Sequence, residues 1–431
     1  MSILPALVEV RTVLIRLAEA RTVIRPQLAR PLKALRHGAA VATTAAAVCA
    51  CSTGSDSNAA ASERLVVERS VDPEFTPSWS SAGLRVLQYA RMAWAETGDM
   101  VAASVLQGPN VVVVEEDHRR AHLLQVSPRG SALAIAWLPG NGIPLAEGMD
   151  VPAGGKPTRA WFELKPGAPG VLGDSRRRPE SVAARGIVLP GGAGGFVAIE
   201  AAGVAGIDAA PPLVVRDAGG VERMHFDPFP NDGARRQVVD ADFQQAGDRV
   251  VMLTALNRVT RPGGVDATGA WIEPIVGSDI EVVDIFARRS ICHLTFDDER
   301  INGFRHSFSF QGVAVSPDTH EFVVNTPKGA LLYDVDSCRQ LLALRDDRDR
   351  LGASGKWIAF SGDGRYIIRD GTDARSPKGG TLDVWRASDG RHVIHEETAA
   401  HSALAIKPGS TEFAAGRDDG QITFFRIENA G

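Results

Sequence analysis

The sequence predicts an all-β chain folded as a ring of small four-stranded sheets, and three observations carry that prediction. Short apolar runs with two-residue alternation recur along the chain, separated by turns rich in Pro, Gly and Asp. Three C-terminal segments align on one such turn: VAVSPDTHEFVV from Val313, IAFSGDGRYII from Ile358 and LAIKPGSTEFAA from Leu404. Their turn positions Ser316, Ser361 and Lys407 lie about 45 residues apart, the period of a four-stranded propeller blade. Finally, the last unit stops at QITFFRIENAG, one strand short, while an orphan strand, RLVVERS, stands at Arg64–Ser70. Together these predict a seven-bladed β-propeller closed by an N-terminal strand and preceded by a signal and tether segment.

Taken in order, residues 1–51 read as a signal peptide or leader. Arg30, Lys33, Arg36 and His37 form a basic region, followed by an uncharged Ala/Val/Thr stretch of signal length. That stretch is too short and too weakly apolar for a spanning helix, which needs about 20 residues. Residues 52–63, STGSDSNAAASE, are small and polar and read as a flexible tether. The propeller is expected over 64–431. Arg64–Ser70 is expected as the outer strand of the seventh blade, paired to the far end of the chain. Four upstream units precede the three clear ones, with turns near Glu96, Pro139, Pro190 and Ala246; the second is the least regular.

Within a unit, the first strand alternates apolar residues and ends in a tight turn, and the second is rich in Val, Ile, Phe and Ala. The third (GALLYDV, TLDVWRA, QITFFRI) carries aromatic and β-branched residues that pack between stacked sheets. The fourth (RQLLALR, RHVIHEE) is more polar and suits an outer edge. One sheet of this size cannot bury both faces, whereas a radial array can.

The chain's 431 residues are long enough for one large all-β domain. Its net charge of −5 excludes bulk attraction to nucleic acid or anionic lipid. Cys292 and Cys338 are too far apart in sequence for a Cys-x-x-Cys metal or redox motif. They are a candidate disulfide between the outer strands of adjacent blades in an oxidising compartment. The demand for near-ideal geometry favours two unpaired thiols instead.

Two resemblances follow. Val48-Cys49-Ala50-Cys51 resembles the bacterial lipoprotein signal, which implies lipid attachment at Cys51 and a periplasmic, membrane-anchored location; Cys49 departs from the usual Ala, Ser or Thr. The alternative is a disordered leader on a cytoplasmic protein. The repeats resemble WD-repeat propellers: SPDT and SGDG stand for the family's Ser-Pro-Asp-Gly turn, and Tyr333-Asp334 and Val384-Trp385 for its closing Trp-Asp. The family's opening Gly-His is absent, with His401 as a remnant, so its buried His/Asp network is in doubt here.

No catalytic residue, metal site or cofactor is expected. GASGK at 352–356 lacks nucleophile-elbow spacing, and GGKPT at 154–158 lacks that of a phosphate loop. His392 and His395 are three apart on a predicted strand, which puts them on opposite faces and argues against joint metal ligation. Long loops around 148–159, 201–211, 257–279 and 372–380 share one face with the connections between blades. The candidate partner-binding residues are Trp271 and Ile272 in the longest loop, and Arg176, Arg177 and Arg178 in the connection DSRRRPES. Trp271 is either a contact residue or packs back on its own blade. The expected function is a non-catalytic protein-binding scaffold: a monomeric ring that contacts another protein or an envelope assembly and touches the membrane through its lipid alone. The alternative is a lactonase- or dehydrogenase-like propeller enzyme, which needs carboxylates or His at the central channel, where Asp240 and Asp242 are the candidates.

Overall fold

The computed structural model describes residues 63–71, 89–95, 97–105, the strands given below between 110 and 272, and then 275–296, 312–326, 329–345, 354–372, 376, 378–417 and 420–429. All of them lie in the compact unit Ala60–Gly431. The leader, most of the tether, Cys51 and Arg178 lie outside the described residues.

The first strand is β1 (Glu63–Val71). Sheet 1 follows as β2 (Tyr89–Trp94), β3 (Met100–Val105), β4 (Asn110–Glu115) and β5 (Ala121–Gln125). Sheet 2 is β6 (Ala132–Leu138), β7 (Ile143–Asp150), β8 (Thr158–Lys165) and β9 (Asp174–Arg177). Sheet 3 is β10 (Val188–Gly191), β11 (Gly195–Ile199), β12 (Leu213–Asp217) and β13 (Glu222–Phe226). A small ribbon, β16 (Gly264–Val265) and β17 (Trp271–Ile272), interrupts sheet 4, which is β14 (Arg235–Ala246), β15 (Arg249–Val259), β18 (Ile275–Asp284) and β19 (Arg289–Phe296). Sheet 5 is β20 (Val313–Val315), β21 (Glu321–Thr326), β22 (Gly329–Asp334) and β23 (Gln340–Leu344). Sheet 6 is β24 (Ser354–Phe360), β25 (Tyr366–Thr372), β26 (Gly379–Arg386) and β27 (His392–Ala399). Sheet 7 is β28 (His401–Ile406), β29 (Glu412–Arg417) and β30 (Ile422–Asn429). Its fourth strand is β1, paired antiparallel to β30 from Glu63 opposite Asn429 to Val71 opposite Ile422. The orphan strand therefore sits where the sequence placed it.

Each sheet is an antiparallel meander. The first strand of each contacts the first strand of the next, from β2 through β6, β10, β14, β20, β24 and β28 back to β2. The fold is an all-β propeller. Both faces of a sheet are therefore covered, and β26 is buried along nearly its whole length. Its Leu382 and Val384 pack toward sheet 7 with Phe413 and Phe424, whereas Trp385 packs toward sheet 5 with Leu332 and Leu344. The indole N–H of Trp385 donates to the Arg345 carbonyl (3.1 Å), so its burial leaves no orphan donor.

The turn chemistry explains the repeat. Ser316 Oγ donates to Asp318 Oδ1 (2.5 Å) and accepts the Glu321 N–H (2.9 Å). Ser361 Oγ donates to Asp363 Oδ1 (2.7 Å) and accepts the Tyr366 N–H (3.0 Å). One Ser-x-Asp spacing thus satisfies the backbone of the reversal in both blades. The reversal expected near Pro190 follows β10, in which Pro190 itself pairs Phe196. One detail differs from the sequence reading. The loops around 148–159 and 372–380 are shorter than expected, because Asp150 still pairs Thr158 and Thr372 still pairs Gly380.

Candidate functional site

In each meander the turns after the first and third strands share one end, and the loops after the second and fourth share the other. The tight-turn end carries an open groove of about 890 Å³ across sheets 5, 6 and 7. Glu63, Asp318, Glu321, Asp363, Arg365 and Arg386 line it, with Tyr366 and His320. Its charges are largely spent on the fold. Glu63 pairs with Arg386, and that hydrogen bond holds its carboxyl below the usual range. Burial acts to raise Asp363, but bonds from Ser361 and Arg365 outweigh it and lower the group. Burial, then the neighbouring Asp318 and Asp334, raises Glu321.

Among the described residues, the loop end carries an extension of sheet 4. β14, β15 and β18 have 12, 11 and 10 residues, against 7 and 8 for β25 and β26. Aligned on the equivalent bonds from Ile285 N–H to Val250 O and from Ala387 N–H to Arg365 O, two of the extra residues, Arg258 and Val259, lie at the loop end and carry the ladder about 7 Å further at about 3.3 Å per residue. It runs to Arg235 opposite Val259 and Val259 opposite Ile275, and the β16–β17 ribbon lies in the connecting segment. Trp271 opposes Val265 and Ile272 opposes Gly264. These two residues are thus in paired backbone rather than an irregular loop, because the segment closes on itself as a hairpin. Arg236 stands directly opposite Arg258. Arg176 and Arg177 are not on a connection. They occupy β9, the outer strand of sheet 2, opposite Glu163 and Phe162, where charge suits an edge.

Asp242, a candidate for channel chemistry, accepts the Val315 N–H at 2.7 Å and so ties β14 to β20. Cys292 on β19 and Cys338 in the β22–β23 turn are joined as a disulfide with Cα atoms 5.9 Å apart. The expectation of unpaired thiols assumed two strand positions. Cys338 instead sits at positive φ (54°) in a turn, which brings it against the neighbouring sheet.

A third arrangement was missed in the sequence. His395 Nδ1 lies 2.7 Å from Asp383 Oδ1, and His392 Nε2 lies 3.1 Å from the same oxygen. The expectation that the two rings point to opposite faces fails because of a β-bulge. Val384 pairs Ile394 and Trp385 pairs His392, so Val393 is an extra residue and the alternation slips by one. Burial acts to raise the Asp383 carboxyl, but the bonds from His392 and His395 outweigh it and hold it at about 2. Nearby, buried His401 on β28 meets buried Asp370 on β25 (3.2 Å), a His/Asp pair that links sheets 7 and 6.

Comparison with known proteins bears on the fold. No family model matches the chain, and no curated protein does. The β-propeller domain of Myceliophteria thermophila Cps50 (Swd1) is similar over 85% of this chain and 100% of its own, with a TM-score of 0.51 and 14% identity. Kuenenia stuttgartiensis hydrazine synthase is similar over 82% of this chain and 100% of its own, with a TM-score of 0.54 and 12% identity. At these identities the likeness establishes a β-propeller and nothing about activity.

Proposed function

We propose that this chain is a non-catalytic scaffold: a seven-bladed, WD-repeat-like ring, one blade per four-stranded sheet, that binds a partner protein through the arm of sheet 4. The carrying observation is the arm itself, a paired β-extension reaching about 7 Å beyond the ladder of sheet 6 at about 3.3 Å per residue, with the β16–β17 ribbon in its connecting segment. A rigid projection lowers the ordering cost of binding, which a floppy loop does not. Cross-strand positions 236 and 258 are both Arg, and two cations at one step of the arm favour a partner surface bearing carboxylates. The His401–Asp370 pair and the two Ser-x-Asp turns support the WD-repeat reading. The backbone role of Asp242 weighs against the enzyme alternative. The leader extends this reading to a lipoprotein anchored through Cys51 on the periplasmic side of a membrane.

Two experiments test the reading. Replacing 260–274 by a two-residue Asn-Gly turn keeps the β15–β18 ladder. Partners cross-linked to the wild-type chain in its host are expected to be lost from this variant at unchanged melting temperature; an unchanged partner set, both here and in a second variant that also carries Arg236→Glu and Arg258→Glu, sinks the arm as the contact. Intact mass of the protein from the membrane fraction is expected to show a chain starting at Cys51 with added diacylglycerol. A full-length unlipidated chain in the soluble fraction removes the anchor and leaves a cytoplasmic binding module.

A further inference from the structure

Asp383, His392 and His395 form a constellation that binding through the arm does not use. One donor atom from each lies within 4.8 Å of the others. The side chains are 2, 10 and 11% exposed, so the site is enclosed yet open to solvent at its imidazole edge. Trp385 covers one side of His392, with ring centroids 5.1 Å apart. Arg369 Nη1 lies 3.9 Å from Asp383 Oδ2, the oxygen turned away from the rings, which leaves Oδ1 to both imidazoles. We infer that Asp383, His392 and His395 bind a divalent transition-metal ion of the zinc class, with the fourth position open to water or a partner's side chain.

The donor set suits that class. Two borderline imidazole nitrogens beside one hard carboxylate oxygen match Zn²⁺ and Co²⁺ rather than Mg²⁺ or Ca²⁺, which take all-oxygen sets. Tetrahedral bonds of 2.0–2.1 Å set adjacent ligands about 3.3 Å apart. The nitrogen–oxygen separations of 2.7 and 3.1 Å are close to that edge, so a small outward shift of the rings admits an ion. The bulge at Val393 is what makes the set, since a regular strand would turn one ring away.

Sheet 4 supplies an internal comparison. Glu281 on β18 stands opposite His293, and the register slips between Val282 and Val283 as it does in sheet 6. His293 Nδ1 lies 2.6 Å from Glu281 Oε2, and Ser290 takes the position of His392 and bonds Glu281. With one imidazole in place of two, that cluster is a hydrogen-bonded pair. The second imidazole is the feature that converts the same framework into a metal site.

The test titrates metal-stripped full chain with Zn²⁺ in competition with a chromophoric chelator, and separately with Co²⁺. Expected are one equivalent of Zn²⁺ and the visible absorption of tetrahedral Co²⁺. His392→Gln and His395→Gln are each expected to weaken Zn²⁺ more than about 100-fold, while His293→Gln leaves it unchanged. Absence of stoichiometric binding, or equal binding by all three variants, overturns the site and leaves a carboxylate hydrogen-bonded to two rings. Should a variant misfold, X-ray absorption of the zinc-loaded wild type still decides: two imidazole ligands support the site, and a shell of oxygen alone refutes it.

Discussion

Gly362 occupies a position where only hydrogen fits. A Cβ there would lie 2.0 Å from the Lys407 carbonyl oxygen and 2.8 Å from the Gly409 nitrogen. The approach is close because two turns interlock: Gly409 N–H donates to Gly362 O (3.1 Å), and Asp363 N–H donates to Ser410 O (3.2 Å). Gly362→Ala is expected to cost about 3 kcal/mol, the upper range for overpacking. Gly364, two residues on at φ +74°, would bring a Cβ only to ordinary contact with Pro317 Cδ (3.6 Å) but has a left-handed backbone, so Gly364→Ala is expected to cost about 1–2 kcal/mol. Urea denaturation of both checks the order, and a reversed order would mean that the turns do not interlock. Asp363 in the same turn gives a pH dependence. Its folded carboxyl titrates below its ordinary 3.8, so it contributes stability above that value and loses it as pH falls through the folded value. The urea midpoint of Asp363→Asn is expected to lie below the wild type at pH 7 and to converge with it as the pH falls below 3.8 through the folded value. A gap that persists in acid would assign the effect to packing.

At the scale of elements, the disulfide fastens sheet 4 to sheet 5 across a separation of 46 residues. Closing a loop of that length restricts the unfolded chain by roughly 4 kcal/mol on the loop-entropy account. Alkylation of the unreduced, denatured chain is expected to leave Cys292 and Cys338 unmodified. Reduction, or the double change of both to Ser, is expected to lower the melting temperature, and ready alkylation without reductant would show the thiols to be unpaired. Strand order was legible in the sequence because alternation, turn residues and the period of about 45 all report backbone pairing locally. The displaced strand Arg64–Ser70 was legible because the last unit lacked a partner. The cluster at Asp383 was not. Its geometry depends on one inserted residue, Val393, in a ladder between β26 and β27, and an apolar-polar pattern read along one strand carries no register. The slip recurs between Val282 and Val283, and between Leu332 and Tyr333, so it belongs to the blade design. Cys338 was misread for a related reason, since a positive φ in a Ser-Cys-Arg turn leaves no mark in composition.

Across the whole molecule, the decisive joint is sheet 7, assembled from both ends of the chain. β1 supplies its outer strand, nine residues long and paired to β30 on both sides of an irregularity at Glu68, and the core beneath contains the stacked rings of Phe413 and Phe425. Sheet 7 also meets sheet 1, where Trp94 lies edge-on to Phe424 at 5.7 Å. Ion pairs decorate the seam: Arg64 with Glu428 (2.8 Å), Arg426 with Glu68 (2.9 Å) and Glu63 with Arg386. The more exposed pairs, Arg64–Glu428 and Arg426–Glu68, contribute roughly 0–1 kcal/mol each, so the ladder and the buried rings must do most of the closing. Two truncations separate these contributions. Removing residues 1–62 keeps β1 and is expected to leave the urea midpoint unchanged. Removing 1–71 strips the ladder from β30 and exposes a strand edge, which invites pairing with another chain. That variant is expected to unfold at lower urea and to associate with rising concentration, read by light scattering, while Arg64→Ala shifts the midpoint only slightly. If the 1–71 truncation stays monomeric and as stable as the full chain, closure resides in the contact between sheets 7 and 1 alone, and β1 is a passenger on a ring already complete.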